Sequence, residues 1–188
     1  PNYPFKTAGD SEAILALHAA SSPSSGKPLA SDYAQWLNML DGMYALALWD
    51  AKHKQLILAR DPLGIKPLVR TQIEGDLLFA SEVKAFHADE RYVPQLDELA
   101  FAARLVWEYP LDATTLLKGV HHVRPGTVEV WSTNEHGDAS CTGTAVIEHQ
   151  GMNPANSWDP SHQAKPLLDS FITSVQQRLM ADVPVGIV

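Results

Sequence analysis

Three groups of side chains in this sequence have types that could do chemistry: a thiol, adjacent histidines, and a lysine beside glycine. The single thiol, Cys141, lies in a segment with no helix start and no catalytic frame, so we interpret it as an unreactive thiol. His121, His122 and the other six histidines lack the spacing to Cys or acidic partners that a metal site needs. Residues 25–27, Ser-Gly-Lys, lack the earlier glycine and the following Ser or Thr of a phosphate-binding loop.

A charged pair, Arg60 and Asp61, has both a catalytic and a structural interpretation. The pair ends a predicted strand and opens a turn that Gly64 and Pro67 punctuate. A bidentate contact between the guanidinium group and the carboxylate would fix the geometry of that turn, so we favour the structural role.

An acidic residue, Asp10, stands where a helix is predicted to begin. The pattern predicts Asp10 as the N-cap and Glu12 in the first turn, with a helix to about Ala20. Backbone N–H groups orient a carboxylate in this position. The pattern alone favours a capping role for Asp10 over ligand binding.

The remaining elements follow from the spacing of apolar residues and the turn residues between them. Ser31 is predicted to cap a second helix, with Tyr33, Trp36 and Leu37 on its buried face. Strands are predicted at 5–7, 43–49, 55–60, 66–72, 77–80, 127–132 and 142–148. Further helices are predicted at 81–87, 97–107 (Leu99, Ala103 and Val106 facing inward) and 167–180, and a buried parallel strand at 183–188.

Composition narrows the class of protein. The formal net charge is −8, with Lys and Arg spread along the chain, so a nucleic-acid partner is not expected. No apolar run reaches the ~20 residues that cross a bilayer, so we expect no membrane partner. One cysteine cannot form an internal disulfide, which fits a cytoplasmic location.

Several motifs, in order along the chain, carry a resemblance to one family. The first two are Arg-Asp-Pro-Leu-Gly-Ile-Lys-Pro-Leu at 60–68 and Ala-Ser-Glu-Val-Lys-Ala at 80–85. They are joined by Thr-Ala-Gly-Asp-Ser-Glu at 7–12, the block 41–50, the segments 118–120 and 124–126, and the run 174–186. Together they resemble the glutamine-hydrolysing asparagine synthetases, whose first domain is a class II glutamine amidotransferase.

The resemblance implies an α+β fold with two domains. Residues 1–148 would form a four-layer αββα sandwich of the N-terminal nucleophile hydrolase type, with its first strands missing. Residues 149–165 would be a linker, and 166–188 would begin an α/β ATP-pyrophosphatase domain. An incomplete sandwich exposes strand edges, so we expect the fragment to be poorly soluble.

The resemblance also implies the site residues. Asp10 would hold the α-ammonium group of glutamine, and Val188 would border the nucleotide site. The N-terminal Cys nucleophile and its Asn-Gly oxyanion donors would precede Pro1, so we assign no catalytic residue and no metal ligand here. We expect the chain as written not to hydrolyse glutamine. For Glu82 and Lys84, support of the sheet edge and of the ammonia exit path both stay open.

The function implied for the full-length protein is ATP-dependent asparagine synthesis. Glutamine would yield ammonia, ATP with Mg²⁺ would adenylate aspartate, and ammonia would displace AMP; the resemblance also implies a homodimer. Two alternatives stay open. One is a related amidotransferase that amidates another carboxylate or closes a β-lactam ring. The other is a non-catalytic binding or regulatory module of the same fold.

Overall fold

The computed structural model describes residues 3–21, 23, 26–109, 112–147, 159–179, 183–184 and 186. It divides into two compact units, Pro1–Gln150 and Gly151–Val188. The first unit contains, in chain order, α1 (Asp10–Ser21), α2 (Ala30–Leu37), β1 (Ala45–Asp50), β2 (Gln55–Arg60), β3 (Val69–Ile73), β4 (Asp76–Ala80), a 3₁₀ helix (Val83–Ala88), α3 (Glu98–Trp107), β5 (His121–His122), β6 (Thr127–Thr133) and β7 (Ala139–Val146). The second contains α4 (Pro160–Arg178).

The larger sheet has the strand order β1-β2-β6-β7, and every neighbouring pair is antiparallel. Its two faces are separated by the alternation of side chains along each strand. On one face, Ile57, Val128 and Val130 pack against buried residues of α2, among them Tyr33 and Leu37. This side of the sandwich is therefore a helix layer on a sheet.

The opposite face of that sheet meets a second, smaller antiparallel sheet with the order β4-β3-β5. Leu58 and Trp131 from the larger sheet pack with Leu68 and Val123 between the two sheets. Behind the smaller sheet, Val69 and Val120 pack against Phe86 of the 3₁₀ helix. The layers thus run helix, sheet, sheet, helix, which confirms the predicted αββα sandwich.

The predicted hairpins are confirmed, whereas several local predictions are wrong. Residues 5–7 form no strand, because the N–H groups of Lys6 and Thr7 bond to the Glu12 carboxylate instead of a neighbouring strand. Ser31 lies inside the first turn of α2, which starts after Leu29, whose N–H donates to Asp32. The helix predicted at 81–87 is a 3₁₀ helix that starts at Val83. Its N-cap residue is Glu82, whereas Ser81 was predicted to cap it.

The fourth error concerns the inward face of α3. The helix begins as expected, with the Asp97 side chain accepting the N–H of Ala100. Leu99 and Val106, however, are 81% and 72% exposed, and Ala100 is the residue of this helix that is buried. Apolar spacing identifies which face of a helix is apolar, but burial depends on another element covering that face. Here, no element of the described chain covers Leu99 or Val106.

In the second unit, α4 begins seven residues earlier than predicted, inside the range assigned to a linker. Asp159 caps it by accepting the N–H of Ser161, and Pro160 occupies the first turn, where its missing N–H costs nothing. Val183, Pro184 and Gly186 are exposed and belong to no strand, so the predicted buried strand is not formed at these positions. The rest of that prediction, including Val188, lies outside the described residues. The domain boundaries stay a prediction.

Within the described residues, no helix combines the length and the apolar character needed to cross a membrane.

Candidate functional site

The candidate glutamine ligand, Asp10, is the first residue of α1, and its side chain is exposed. The hydroxyl group of Ser11 approaches one of its carboxylate oxygens at 3.5 Å. The prediction that Asp10 caps the helix through its side chain is wrong in detail. Asp10 is the first helical residue, and the nearby N–H groups of Lys6 and Thr7 donate to Glu12 instead. Asp10 nevertheless lies at the N-terminus of α1, a favourable position for an acidic side chain, and faces solvent.

The acid that organises this turn is Glu12. Its two carboxylate oxygens accept the N–H of Lys6 at 2.8 Å and both the N–H and the hydroxyl of Thr7 at 2.6 Å. The Thr7 hydroxyl oxygen also accepts the N–H of Gly9 at 3.2 Å. Bonds from the Thr7 hydroxyl and then from the Lys6 N–H lower the pKa of Glu12 below its usual value, so the clamp holds an ionised carboxylate. Sequence reasoning missed this role, because the clamp forms only when the loop before the helix folds back onto Glu12.

The far end of α1 reaches a buried polar cluster. The His18 Nε2 atom is 3.5 Å from the Asp50 Oδ2 atom at the end of β1. The same carboxylate accepts the Tyr33 hydroxyl at 3.1 Å and lies 2.7 Å from the His53 ring. The Tyr33 hydroxyl also donates to Gln55 at 3.1 Å. This cluster joins α1 and α2 to the β1–β2 hairpin.

The charges in this cluster are set by burial and by hydrogen bonds. Burial opposes ionisation of Asp50, but bonds from His53 and Tyr33 outweigh it and hold the pKa of Asp50 below its usual value. Burial lowers the pKa of His18, with Asp50 acting in the opposite direction and His53 in the same one. Burial, followed by the nearby Asp50 charge, raises the pKa of Tyr33. At neutral pH the cluster therefore contains an ionised Asp50 carboxylate beside a neutral His18 ring and a neutral Tyr33 hydroxyl.

The turn after β2 confirms the structural role of Arg60 and Asp61 but not their predicted pairing. The Asp61 carboxylate accepts the N–H groups of Leu63, Ile65 and Lys66. The Arg60 guanidinium group donates instead to the carbonyl oxygens of Lys66, Val123 and Gly64. Successive side chains along a strand point to opposite faces, which separates the two charges.

An ion pair lies between the two sheets. The Arg70 Nε atom donates to Glu129 at 2.6 Å, and the guanidinium group lies 5.1 Å from the centre of the Trp131 ring. The Trp131 indole N–H donates to the same Glu129 oxygen at 3.0 Å. One signal for this contact is visible in the sequence: Glu129 is the single acidic residue within the run 127–132.

The neighbouring cavity, about 680 Å³ in volume, is also lined by His122, Arg124 and Asp112. Arg124 pairs with Asp112, so the charged groups that line the cavity neutralise one another. Burial lowers the pKa of His122, with Arg60 adding to the effect, and its Nδ1 atom has no hydrogen-bond partner within the described chain. A neutral histidine among paired charges gives this cavity no excess charge to attract an ion.

The remaining candidates stay apart from these groups. Cys141 is an exposed residue whose sulfur contacts the Gly143 carbonyl oxygen at 3.6 Å, and burial raises its thiol pKa, which disfavours the nucleophilic thiolate. Glu82 and Lys84 form an exposed ion pair at 2.7 Å. Among the described residues, no group of three or more His, Cys, Asp or Glu side chains could hold a metal ion.

Comparison with known proteins identifies the class. The model of the glutamine amidotransferase domain matches residues 1–141, which include Asp10, the Glu12 clamp, the smaller sheet and strands β1, β2 and β6 of the larger sheet. The chain belongs to the glutamine amidotransferase domain family.

Among named relatives, the chain is 30% identical over 190 residues to a probable glutamine-hydrolysing asparagine synthetase of Schizosaccharomyces pombe, covering 99% of this chain and 26% of the relative. It is 27% identical over 184 residues to asparagine synthetase 1 of Bacillus subtilis, covering 98% of this chain and 26% of that protein. The amidase chyE of Penicillium rubens is 31% identical over 160 residues, covering 81% and 22%. The predicted resemblance to the asparagine synthetases is thus confirmed.

The chain spans about a quarter of the length of these curated relatives. A solved structure of the allosteric regulatory enzyme of purine biosynthesis is 22% identical, with a TM-score of 0.49, and the match covers 81% of this chain and 24% of that one.

Proposed function

We propose that the chain is the glutamine-binding part of a glutamine-dependent asparagine synthetase. The family match supports a glutamine amidotransferase domain, and the similarity to asparagine synthetases extends over 98% and 99% of the chain for two relatives. In the full-length protein, glutamine would be hydrolysed to supply ammonia, which an adenylated aspartate would accept.

The observation that carries this proposal is the exposed Asp10 carboxylate, which the Glu12 clamp presents on the first turn of α1. The α-ammonium group of an amino acid is a compact cation with three donors, and an exposed, oriented carboxylate is a suitable partner for it. Asp10 would therefore bind glutamine through its ammonium group and leave the side-chain amide free to reach the nucleophile.

The second half of the proposed reaction needs groups that we place outside the described residues. ATP with Mg²⁺ would activate the aspartate carboxylate by adenylation, and Val188 would border that nucleotide site. The homodimeric state, which derives from the resemblance, and the cytoplasmic location, which derives from the single cysteine, belong to the same proposal.

The test is a kinetic comparison in the full-length protein that carries this chain. Asp10→Asn removes the charge that would hold the ammonium group. We expect it to raise the KM for glutamine about tenfold or more, since a hydrogen bond to a charged group contributes about 1.5–3 kcal/mol. Asparagine synthesis from ammonium salts should be unchanged. Glu135→Gln, which removes an exposed turn carboxylate, is the matched control.

Equal loss of the glutamine-dependent and ammonia-dependent reactions in Asp10→Asn would contradict the assignment. A normal KM for glutamine would contradict it as well. Omission of aspartate tests the acceptor, because an asparagine synthetase releases no amide product without it.

A second candidate function is favoured by one comparison. Two relatives named amidases, chyE of Penicillium rubens and chry2 of Gibberella zeae, are 31% and 30% identical over 160 residues. The name amidase denotes cleavage of an amide, so as the alternative we propose a glutamine-hydrolysing amidotransferase whose ammonia acceptor is an acid other than aspartate. Formation of an amide product from a different acid, with aspartate inactive, would select it.

A further inference from the structure

Helix α1 carries Asp10 but is weakly attached to the rest of the sandwich by apolar contacts. None of its side chains is fully buried. Ile14 and Leu17 are only partly buried where they pack against the core beside α2. Stabilisation by apolar burial is proportional to the area removed from water, so these two side chains constrain the orientation of the helix poorly.

The polar attachment of α1 is better defined. The His18 side chain is 17% exposed, and its Nε2 atom lies 3.5 Å from the Asp50 carboxylate. Its ring is stacked on Tyr33 and tilted against Trp36, each at 6.0 Å between ring centres. His18 is thus held on one side by a carboxylate and on the other by two aromatic rings of α2.

The partner carboxylate is itself immobilised. The Asp50 side chain is 4% exposed, and it accepts the backbone N–H of His53 at 3.1 Å in addition to its contacts with the His53 ring and Tyr33. These partners belong to the β1–β2 hairpin and to α2, which form part of the sandwich core. Asp50 therefore provides α1 with a fixed point on the sheet.

We propose that His18 is a positioning residue for glutamine, which sets the orientation of α1 and thereby the location of the Asp10 carboxylate. The inference depends on the proposed role of Asp10. Eight residues separate Asp10 from His18 within one helix, which is about 12 Å along the axis at the α-helical rise. A tilt of about 10° at His18 would therefore move Asp10 by roughly 2 Å. Charge-assisted hydrogen bonds occupy a much narrower range of distance, so such a tilt would break the contact with the ammonium group.

The test uses His18→Phe in the full-length protein, because phenylalanine keeps a ring against Tyr33 and Trp36 but has no nitrogen atom beside the Asp50 carboxylate. We expect the KM for glutamine to rise about fivefold, with kcat and ammonia-dependent synthesis unchanged. His18→Gln, which restores a donor at about the same distance from the backbone, should return the KM to near the wild-type value. Hydrogen exchange of the amides at 10–14 should be faster in His18→Phe and normal in His18→Gln.

Tyr33→Phe is the matched control within the cluster. It removes the Tyr33 hydroxyl from Asp50 but keeps the contacts of His18 with Asp50 and with the ring at position 33. It should therefore lower stability without changing the KM for glutamine. An equal rise of the KM in Tyr33→Phe would overturn the positioning role, because general loosening of the cluster would then be enough. If His18→Phe does not fold, His18→Asn takes its place, since its shorter side chain withdraws the donor from Asp50.

The two levels of inference fail differently. If Asp10→Asn raises the KM and His18→Phe does not, the positioning role is wrong and the proposed function stands. If Asp10→Asn leaves the KM unchanged, the proposed function is wrong, and the positioning role falls with it.

Discussion

Two turns of the first unit are built on the same principle and differ in what they expose. In the turn after β2, Asp61 accepts three backbone N–H groups and is only 1% exposed. In the turn before α1, Glu12 also accepts backbone N–H groups, but this turn lies at the surface. Both carboxylates fold a short segment around themselves, because a charged acceptor can satisfy several donors at once.

The difference separates a motif that shapes the sandwich from a motif that displays an acid at the surface. The turn that surrounds the buried Asp61 carboxylate continues directly from β2, and Arg60 ties it to the Val123 carbonyl oxygen. The turn before α1 displays the exposed Asp10. Burial therefore distinguishes the structural acid Asp61 from Asp10, the acid that we propose to bind glutamine, although both stand in motifs of the same family.

The largest effect should follow from Asp61→Ala. Three N–H donors would lose the buried carboxylate that accepts from them, and a hydrogen bond to a charged group contributes about 1.5–3 kcal/mol. We expect a loss of about 3–5 kcal/mol in the free energy of unfolding, measured by urea denaturation. Asp61→Asn should lose less, because its amide oxygen still accepts. A loss below about 1 kcal/mol for Asp61→Ala would show that the turn does not depend on this acid.

Arg60→Lys should have the next largest effect. The guanidinium group donates to three carbonyl oxygens at 2.7–3.0 Å, and a lysine ammonium group cannot reach all three from one point. We expect a loss of about 2 kcal/mol in the free energy of unfolding. Lys118→Arg, at an exposed position, is a control that exchanges the same two residue types in the opposite direction. Equal stability of Arg60→Lys and the wild type would contradict the role assigned to the three N–H donors of the Arg60 guanidinium group.

The hairpins could be predicted from the sequence because their determinants are local. A continuous apolar run defines β2, and alternating apolar residues begin β6. Glu74, Gly75 and the segment 134–137 supply turns between strands. The positive φ angles at Glu74, Gly75 and Gly137 are the conformations that such turns require. Strand β5 was missed because it has two residues and is defined by pairing with β3, about 50 positions earlier in the chain.

The candidate site was only partly predictable, for a related reason. The position of Asp10 could be predicted from the family motif, because that motif is continuous. The clamp by Glu12 depends on how the loop before the helix folds back, which no spacing rule specifies. The cluster around Asp50 brings together His18, Tyr33 and Gln55 from three elements, and such tertiary contacts leave no local pattern.

Glu12→Gln sharpens the comparison of the two turns, because it should affect the site more than the fold. The amide keeps one acceptor oxygen but loses the negative charge to which the N–H groups of Lys6 and Thr7 donate. We expect the KM for glutamine in the full-length protein to rise about threefold to tenfold, with kcat unchanged and a melting temperature close to that of the wild type. Thr7→Val, which removes one of the donors to Glu12, should shift the KM in the same direction. A large fall in the melting temperature with a normal KM would place Glu12 with Asp61 among the structural acids.

The smallest predicted effect is a pH dependence of stability due to His18. Burial holds the pKa of His18 in the folded state below that of the unfolded chain, which is about 6.5. The facing groups are Asp50, which opposes this shift, and His53, which adds to it, while Tyr33 stacks on the ring. As the pH falls below about 6.5, the unfolded state takes up a proton that the folded state resists, so the free energy of unfolding should decrease.

His122 shifts in the same direction, so only a difference between variants isolates His18. The free energy of unfolding should therefore be measured between pH 7.5 and 5 for the wild type and His18→Phe. The loss on acidification should be smaller in the variant, because phenylalanine has no proton to bind. A second loss near pH 4 and below should persist in both proteins, since the lowered pKa of Asp50 contributes stability that disappears only there. Parallel pH curves for the two proteins would mean that His18 protonates equally in the folded and unfolded states. The His18 ring would then not be buried against α2, which would contradict its role in attaching α1.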